Sequence, residues 1–527
     1  MDLIPAYSSI RPFLPELCLL ASVLIGLLIP VITGRHKHLP VILGILALAG
    51  GLVVLATMMG SEQSTQTDVL FGGLLVTDPY SWMIKLIIVL TYLVCVLMWL
   101  FVTRPQQSDL DAVEFLTLLG CATLGLCLMV STDHLLMLFI AMETASLPSY
   151  ILAAFRKHER VGAEAGVKYV LFGAVCSGLM LYGISMLYAL HGSLDIPTIG
   201  HHTQQILSAG YLGPNAIVCI LGIVGLLIGI GFKISMVPMH FWCPDVFEGT
   251  HPDIAAFLSV ASKAAGLGLL MRVVTNLINT SMTGAPADQL ITRFAPSSTM
   301  TFLLTASVLI GVVTCFWGNL TAYRQTNIQR LLAYSSIGHA GYMLLIFGTL
   351  NSPATSMVLP AAHALLIYLL FYMMMNLGAF AVAAAVRKET GSTELASFTG
   401  LGRRAPWLAA AMVIFMLSLT GIPLTVGFMA KFKIFQILFA NALGQGQMLS
   451  WIGIVALGIN TVLAAFFYFR VIRQMYLVDS DATPLTAWTP AMLLAVLLVI
   501  PNVLFFIAYG WIDRTFLDFA LLVARNG

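Results

Sequence analysis

Two lysines of this chain stand inside apolar stretches, where a charged side chain is costly. Lys233 lies five residues before Pro238, and Lys263 lies in the next apolar run, beyond a short polar loop. A lysine near the centre of a bilayer costs roughly 2.5–3.5 kcal/mol on insertion scales. Two such residues in neighbouring segments are hard to explain by packing alone, so we predict that the chain moves protons along a row of buried ionisable groups.

Glu143 is a carboxylic acid in the middle of the apolar run LFIAMETASLPSYILAAF. It has no charged neighbour within one helical turn, so we predict that it pairs with a lysine of another span, above all Lys233. Burial disfavours the charged form of an amine, so an open pair lets the lysine lose its proton and a closed pair lets it keep the proton. A protonated structural glutamate and a fixed ion pair are the alternatives.

Lys263 and Lys431 extend this row. Lys263 can hand a proton onward from Lys233, or it can cover polar groups in the interior of the bundle. Lys431 follows a helix-breaking stretch, and we predict that it lies on the pathway. Lys433 is two residues further on and points to a different face of the helix, so we expect it at the membrane interface.

His339 lies in the segment LLAYSSIGHAGYMLL. Histidine titrates near physiological pH and suits a proton relay, although a hydrogen-bonded packing residue is the alternative. Ser335, Ser336 and Tyr342 are expected to order water beside it. His240 and His363 are weaker candidates of the same kind.

Other chemistries leave no motif in the chain. The eight cysteines are scattered without CxxC or Cys/His ligand spacing, so we predict no metal or iron–sulfur site. Neither a phosphate-binding glycine loop nor a nucleophile elbow is present. The net charge of +2 predicts no nucleic-acid partner, and the methionine-rich run Tyr372–Asn376 is interpreted as core packing.

The composition is that of a polytopic membrane protein. Of 527 residues, 59% are hydrophobic and 9% are charged, and the mean hydropathy is +0.95; a soluble domain carries about 25% charged residues. The continuous apolar runs are close to the ~20 residues that a spanning helix needs, so we predict an all-α fold. About fourteen spans are expected, at 14–33, 40–59, 80–103, 112–131, 134–155, 164–190, 214–240, 254–275, 299–321, 329–350, 359–386, 407–440, 450–476 and 487–510.

Two of these spans are predicted to be broken helices. The span 407–440 is too long for one straight crossing and contains Gly421, Pro423 and Gly427, and the span 214–240 contains Pro238. A lysine-bearing broken helix therefore occurs twice, five spans apart, which predicts an internal repeat whose two copies are inverted in the membrane.

The predicted organisation has four parts. These are an N-terminal three-helix segment (1–111), a first repeat (112–275), a second repeat (299–476) and a C-terminal helix with its tail (477–527).

Basic residues are unevenly distributed between the two sets of loops. The odd-numbered loops carry Arg35, Lys37, Arg104, Arg156, Lys157, Arg160, Arg324, Arg330, Arg387, Lys388, Arg403, Arg404, Arg470 and Arg473. The even-numbered loops and the termini carry Arg11, Arg272, Arg293, Arg514 and Arg525. We therefore predict that the odd-numbered loops face the cytoplasm, or its equivalent, with both termini on the non-cytoplasmic side. The membrane is expected to be the plasma membrane. The acidic loop 243–253 is an exception, either a partner-docking site or a short polar turn, and Lys85 and Lys168 are expected to snorkel to the interface.

Five motifs together resemble subunit N of the antiporter-like family of respiratory complex I, the proton-pumping NADH:quinone oxidoreductase. They are ETASLPSY at 143–150, GFKISMVPMHFWCPDVFEG at 231–249, FLSVASKAA at 257–265, LLAYSSIGHAGYMLL at 331–345 and LTGIPLTVGFMAKF at 419–432. The resemblance implies fourteen helices with two inverted five-helix units. It also implies a Glu143–Lys233 pair, a central Lys263 and an exit-side Lys431.

The resemblance implies partners as well. They are the other membrane subunits of the complex, including neighbouring antiporter-like subunits, together with lipid and protons. NADH, FMN, iron–sulfur clusters and quinone are expected in other subunits, with no cofactor or redox centre in this chain. Quinone reduction elsewhere would then drive protons through the buried relay. The competing hypotheses are an Mrp-type Na⁺/H⁺ antiporter subunit and a non-transporting scaffold with structural lysines.

Overall fold

The computed structural model describes residues 11–33, 39–59, 67–103, 109–156, 159–208, 213–278, 298–351, 357–445, 447–479 and 489–525. Its helices are α1 (Leu14–Thr33), α2 (Leu39–Met59), α3 (Pro79–Met98), α4 (Asp109–Val130), α5 (Leu135–Ala153), α6 (Arg160–His191), α7 (Ile196–Ser208), α8 (Pro214–Ile234), α9 (Trp242–Gly249), α10 (Pro252–Ile278), α11 (Ser298–Ala322), α12 (Ile328–Leu344), α13 (Val358–Thr390), α14 (Leu401–Arg404), α15 (Pro406–Thr420), α16 (Val426–Gln445), α17 (Met448–Tyr476), α18 (Pro490–Leu497), α19 (Val499–Ile507) and α20 (Tyr509–Arg525). The strands β1 (Asp68–Leu70) and β2 (Leu75–Thr77) form a small antiparallel hairpin.

Fourteen helices of the described residues are long and apolar enough to cross a membrane, which confirms the predicted all-α polytopic fold. A helix satisfies its own backbone hydrogen bonds, which the interior of a bilayer requires. α20 was not predicted as a helix of its own, because it follows the last apolar run and carries polar residues on one side.

Two helices form the centre of the bundle. The most apolar windows of α10 and α13 are entirely buried inside the protein, and that of α12 with the turn after it is nearly so. In α6 and α17, by contrast, most residues of the apolar window are not buried inside the protein and face outward, towards lipid. Polar side chains on α10, α12 and α13 are therefore shielded from the hydrocarbon.

Both predicted helix breaks fall close to the expected residues. α8 ends at Ile234, where Ser235 adopts a left-handed conformation with φ 62°, and Pro238 lies in the following turn. α15 ends at Thr420, where Gly421 has φ 84°, and Pro423 lies in the turn before α16. Gly427 is in the first turn of α16, where a Cβ atom would lie 1.7 Å from the carbonyl oxygen of Ser418, so only glycine fits.

The same backbone motif occurs at corresponding places in the two predicted repeats. His134 forms a β-bridge with Asp195, and Asn327 forms one with Glu394. Each acidic residue follows a Gly-Ser pair, at 192–193 and at 391–392, whose glycine ends a long helix in a left-handed conformation. This recurrence supports a duplication, whereas the inversion and the four domain boundaries stay predictions.

The acidic loop at 243–253 is matched by basic residues of the same chain. It contains α9, from which Asp245 pairs with Lys168 at 2.5 Å and with Arg330 at 2.8 Å. Glu248 also pairs with Arg330, at 2.5 Å. These contacts favour the polar turn over a docking site. Of the basic residues used to orient the chain, Arg35, Lys37, Arg104, Lys157 and Arg293 lie outside the described residues.

Candidate functional site

Lys233 and Glu143 are neighbours that a serine separates. The Nζ atom of Lys233 donates to Oγ of Ser146 at 3.0 Å, one helical turn beyond Glu143 on α5. The carboxylate of Glu143 accepts from Ser177 Oγ at 2.5 Å and acts on Lys233 by electrostatic attraction without an ion-pair contact. The predicted pair is thus brought together in an open arrangement.

Lys263 lies at the centre of a hydrogen-bonded cluster between α10, α12 and α13. It is fully buried, and its Nζ donates to Ser336 Oγ at 2.5 Å. Ser336 in turn contacts Ser259 Oγ at 3.0 Å and the hydroxyl of Tyr372 at 2.8 Å. Asn376 donates to the Tyr372 hydroxyl at 2.9 Å and also to Ser259.

His339 occupies the next turn of α12. Its Nδ1 lies 2.8 Å from the hydroxyl of Tyr368, and its Nε2 lies 3.4 Å from the hydroxyl of Tyr468. The charges of Lys263 and Lys431 both act on His339. Both ring nitrogens therefore have hydroxyl partners, which can donate or accept a hydrogen bond.

Lys431 binds the end of a broken helix. Its Nζ donates to the carbonyl oxygens of Thr420 at 2.8 Å and Leu419 at 3.4 Å. These are among the last carbonyls of α15, which have no partner within their own helix. The same Nζ lies 4.7 Å from the centre of the Tyr342 ring, within cation–π distance.

α12 joins the last three groups into one row. Ser336, His339 and Tyr342 are spaced by three residues, so they lie on one helical face as successive neighbours. Ser336 holds Lys263 at one end of this row, and Tyr342 lies under Lys431 at the other. Ser262, which precedes Lys263, donates to the backbone carbonyl of Lys233 at 3.3 Å, so α8 and α10 are in contact beside the row.

Two other deep cations have carboxylate partners. Lys85 pairs with Glu16 at 2.6 Å with both side chains 2% exposed, so the prediction that Lys85 snorkels was wrong. Lys85 is the seventh residue of α3, and its side chain points to Glu16 on α1 rather than to the membrane interface. Arg272, counted above among the loop residues, is buried in α10 and pairs with Asp78 at 2.7 Å.

Lys433 has an acidic partner on the C-terminal helix. It is mostly buried and pairs at 2.8 Å with Asp513 of α20, and its place at the membrane interface stays a prediction. Lys168 is 37% exposed and pairs with Glu164 and Asp245, in keeping with a lysine near the surface.

Comparisons with known proteins agree on one family. The family model described as NADH:quinone oxidoreductase/Mrp antiporter, TM, matches residues 132–456. NADH-quinone oxidoreductase subunit N 2 of Sorangium cellulosum is 36% identical over 515 residues, which are 95% of this chain and 96% of that protein. This chain belongs to the subunit N family of NADH-quinone oxidoreductases.

Solved structures resemble this subunit N family chain along its whole length. A chain of respiratory complex I from Thermus thermophilus, solved with bound aureothin, gives a TM-score of 0.72 at 28% identity and covers 95% of this chain and 98% of that one. A chain of the Mrp complex from Dietzia sp. DQ12-45-1b gives a TM-score of 0.76 at 18% identity, with 100% of each chain covered. The second likeness shows the fold alone.

Sequence reasoning missed the residues that connect the row in this subunit N family chain. The run Tyr372–Asn376 was interpreted as core packing and is buried, but that interpretation did not include the hydrogen bonds of the Tyr372 hydroxyl and the Asn376 amide. Tyr368, Tyr372 and Asn376 recur every four residues on α13, and this polar stripe on an otherwise apolar helix is the signal that could have found them. Tyr468 on α17 gave no comparable signal.

Proposed function

We propose that this chain is a proton-translocating membrane subunit of an NADH:quinone oxidoreductase. Protons pass along Glu143, Lys233, Lys263, His339 and Lys431, and the energy comes from quinone reduction in other subunits. The names of the relatives support the assignment to this complex, and the row of polar contacts on α12 supports the route.

One contrast carries the proposal. Among the described contacts, Lys233, Lys263 and Lys431 have only neutral partners, namely hydroxyl groups and backbone carbonyls. Lys85 and Arg272 are also buried, but their partners are carboxylates. A buried charge without a counter-ion is costly, so each of the three lysines can give up its proton more easily than a lysine held by a carboxylate.

The neutral partners also suit repeated proton transfer. A hydroxyl group donates and accepts, so Ser146, Ser336 and the tyrosines around His339 can stay hydrogen-bonded whether a lysine is charged or neutral. The open Glu143–Lys233 arrangement is one of the two states that the switch requires. Closing the pair would hold the proton on Lys233, and opening it would release the proton towards Lys263.

The chain acts as one part of a translocase. We infer that NADH, FMN, iron–sulfur clusters and quinone bind to other subunits and that this chain holds no redox centre. Its partners are then neighbouring membrane subunits, including other antiporter-like ones. The loop charges favour an orientation with both termini on the non-cytoplasmic side, and we infer that the membrane is the plasma membrane.

The proposal is tested in inverted membrane vesicles that contain the whole complex. NADH oxidation and the quenching of a pH-sensitive dye are measured together for Lys233→Ala and Glu143→Ala, with Arg403→Ala on the exposed surface as control. We expect both variants to pump fewer protons per NADH oxidised and the control to match the wild type. Full pumping in both variants would rule out the relay, and sodium-dependent transport without NADH would favour an antiporter.

A further inference from the structure

Asp513 of the C-terminal helix α20 collects three polar contacts from neighbouring residues. Its Oδ1 accepts from Lys433 Nζ at 2.8 Å and from the Tyr509 hydroxyl at 3.5 Å. His363 Nε2 lies 3.0 Å from the Asp513 backbone carbonyl oxygen. Asp513 therefore ties α20 to both α13, which carries His363, and α16, which carries Lys433.

α20 is docked firmly enough to act as a brace. Its apolar side chains Ile512 and Phe516 are buried, and the helix packs against α13 and α3. The Lys433–Asp513 pair is 15% and 26% exposed, whereas the surface pair Arg403–Asp479 is 84% and 87% exposed. A shielded ion pair interacts more strongly than one that water and salt screen.

Lys431 and Lys433 hold α16 from opposite sides. Two residues along a helix turn the side chain by about 200°, so Lys431 faces the end of α15 while Lys433 faces α20. The Lys431 side chain passes beside Gly421, where a Cβ atom would lie 2.9 Å from Lys431 Cδ. Because Lys431 belongs to α16 and Thr420 ends α15, a displacement of α16 against α15 would change the 2.8 Å distance between Lys431 Nζ and the Thr420 carbonyl oxygen.

We propose that Asp513 is a positioning residue for Lys431. By holding Lys433, it keeps α16 where Lys431 meets the free carbonyls of α15. The inference rests on the proposed function, since it assigns Asp513 a part in proton transfer by Lys431.

The test compares variants of the whole complex in membrane vesicles. Asp513→Asn removes the charge but keeps the size of the side chain, and Asp513→Glu keeps the charge. The exchange Lys433→Asp with Asp513→Lys restores the ion pair in reverse, and Asp479→Asn on the exposed pair is the matched control. The measured quantity is the ratio of protons pumped to NADH oxidised, with the amount of assembled complex followed by native electrophoresis.

We expect Asp513→Asn to lower that ratio about twofold or more, because residues in contact are commonly coupled by enough free energy to change an equilibrium by this factor. Asp513→Glu and the exchange should both give a ratio close to that of the wild type. A loss of assembled complex with an unchanged ratio would overturn the proposal, because it would show a purely structural role. If Asp513→Asn does not assemble, Lys433→Gln takes its place under the same two outcomes. A lowered ratio in Lys233→Ala beside a normal ratio in Asp513→Asn rejects this inference alone, whereas normal ratios in both reject the proposed function as well.

Discussion

The amino group of Lys431 lies 2.8 Å from the carbonyl oxygen of Thr420, the last residue of α15. A helix that ends inside the membrane leaves its last carbonyls without backbone partners, and these carbonyls form the negative end of the helix dipole. The break and the lysine thus stabilise each other. The carbonyls stabilise the ammonium group, but less strongly than a carboxylate would. Lys431 can therefore lose and regain its proton.

Lys431→Arg separates charge from proton release. An arginine keeps a permanent positive charge and several donors for the carbonyls of Thr420 and Leu419, but it does not lose its proton in a protein. We expect Lys431→Arg to assemble better than Lys431→Ala and to pump as poorly. The measurement is the ratio of protons pumped to NADH oxidised, and normal pumping by the arginine variant would show that Lys431 is only a structural cation.

Ser146 is predicted to set the resting position of Lys233. Ser146→Ala removes the partner at 3.0 Å from Nζ, and hydrogen bonds to charged groups contribute about 1.5–3 kcal/mol. Without it, Lys233 should move towards Glu143 and hold its proton longer, so we expect pumping to slow by about tenfold. The effect is measured as the rate of dye quenching in membrane vesicles, compared at equal rates of NADH oxidation.

Ser149→Ala is the matched control for Ser146. Ser149 is equally buried on the same helix, but its hydroxyl donates only to the Ala145 carbonyl of that helix. We expect this variant to pump normally. Equal losses in the two serine variants would point to a general effect on α5 and would contradict the role of Ser146.

The apolar runs and helix breakers of the sequence predict much of this structure. About twenty continuous apolar residues are enough to indicate a span, and Pro238 and Gly421 mark breaks because they disturb regular helical hydrogen bonding. Lys233, Lys263 and Lys431 are conspicuous for the same reason, since charges are rare in such runs.

Partners from distant segments were beyond prediction. Which side chain meets Lys233 depends on how α5 and α8 are rotated against each other, so Ser146 was missed although Glu143 on the same helix was found. Lys85 was misjudged because distance from a helix end suggests snorkelling, while the partner Glu16 lies on another helix. Asp513 belongs to a helix after the last apolar run, where hydropathy carries no signal.

The Lys85–Glu16 pair is predicted to support stability and not pumping. Both side chains are buried. Glu16 pairs with Lys85 through Oε1, and its Oε2 has no hydrogen-bond partner among the described residues. Lys85→Met leaves an uncompensated carboxylate, which destabilises by about 3–5 kcal/mol, so we expect less assembled complex and a lower melting temperature. Adding Glu16→Gln should restore most of the loss, and the pumping ratio per assembled complex should stay at the wild-type value. A lowered ratio in the double variant would place this pair on the proton route.

His251 is predicted to make stability depend on pH. It lies just before α10, outside the spanning segment, where burial and then the charges of Arg387 and Arg156 lower its pKa to about 3. An unfolded histidine has a pKa of about 6.5, so between these values the unfolded chain binds the additional proton and stability falls as the pH falls. From pH 7 to pH 5 the loss is about 2 kcal/mol. His251→Gln cannot take up that proton, so we expect its melting temperature in detergent to fall less over this range than that of the wild type. If the melting temperatures of the two proteins fell by the same amount from pH 7 to pH 5, His251 would be protonated as easily in the folded chain as in the unfolded one.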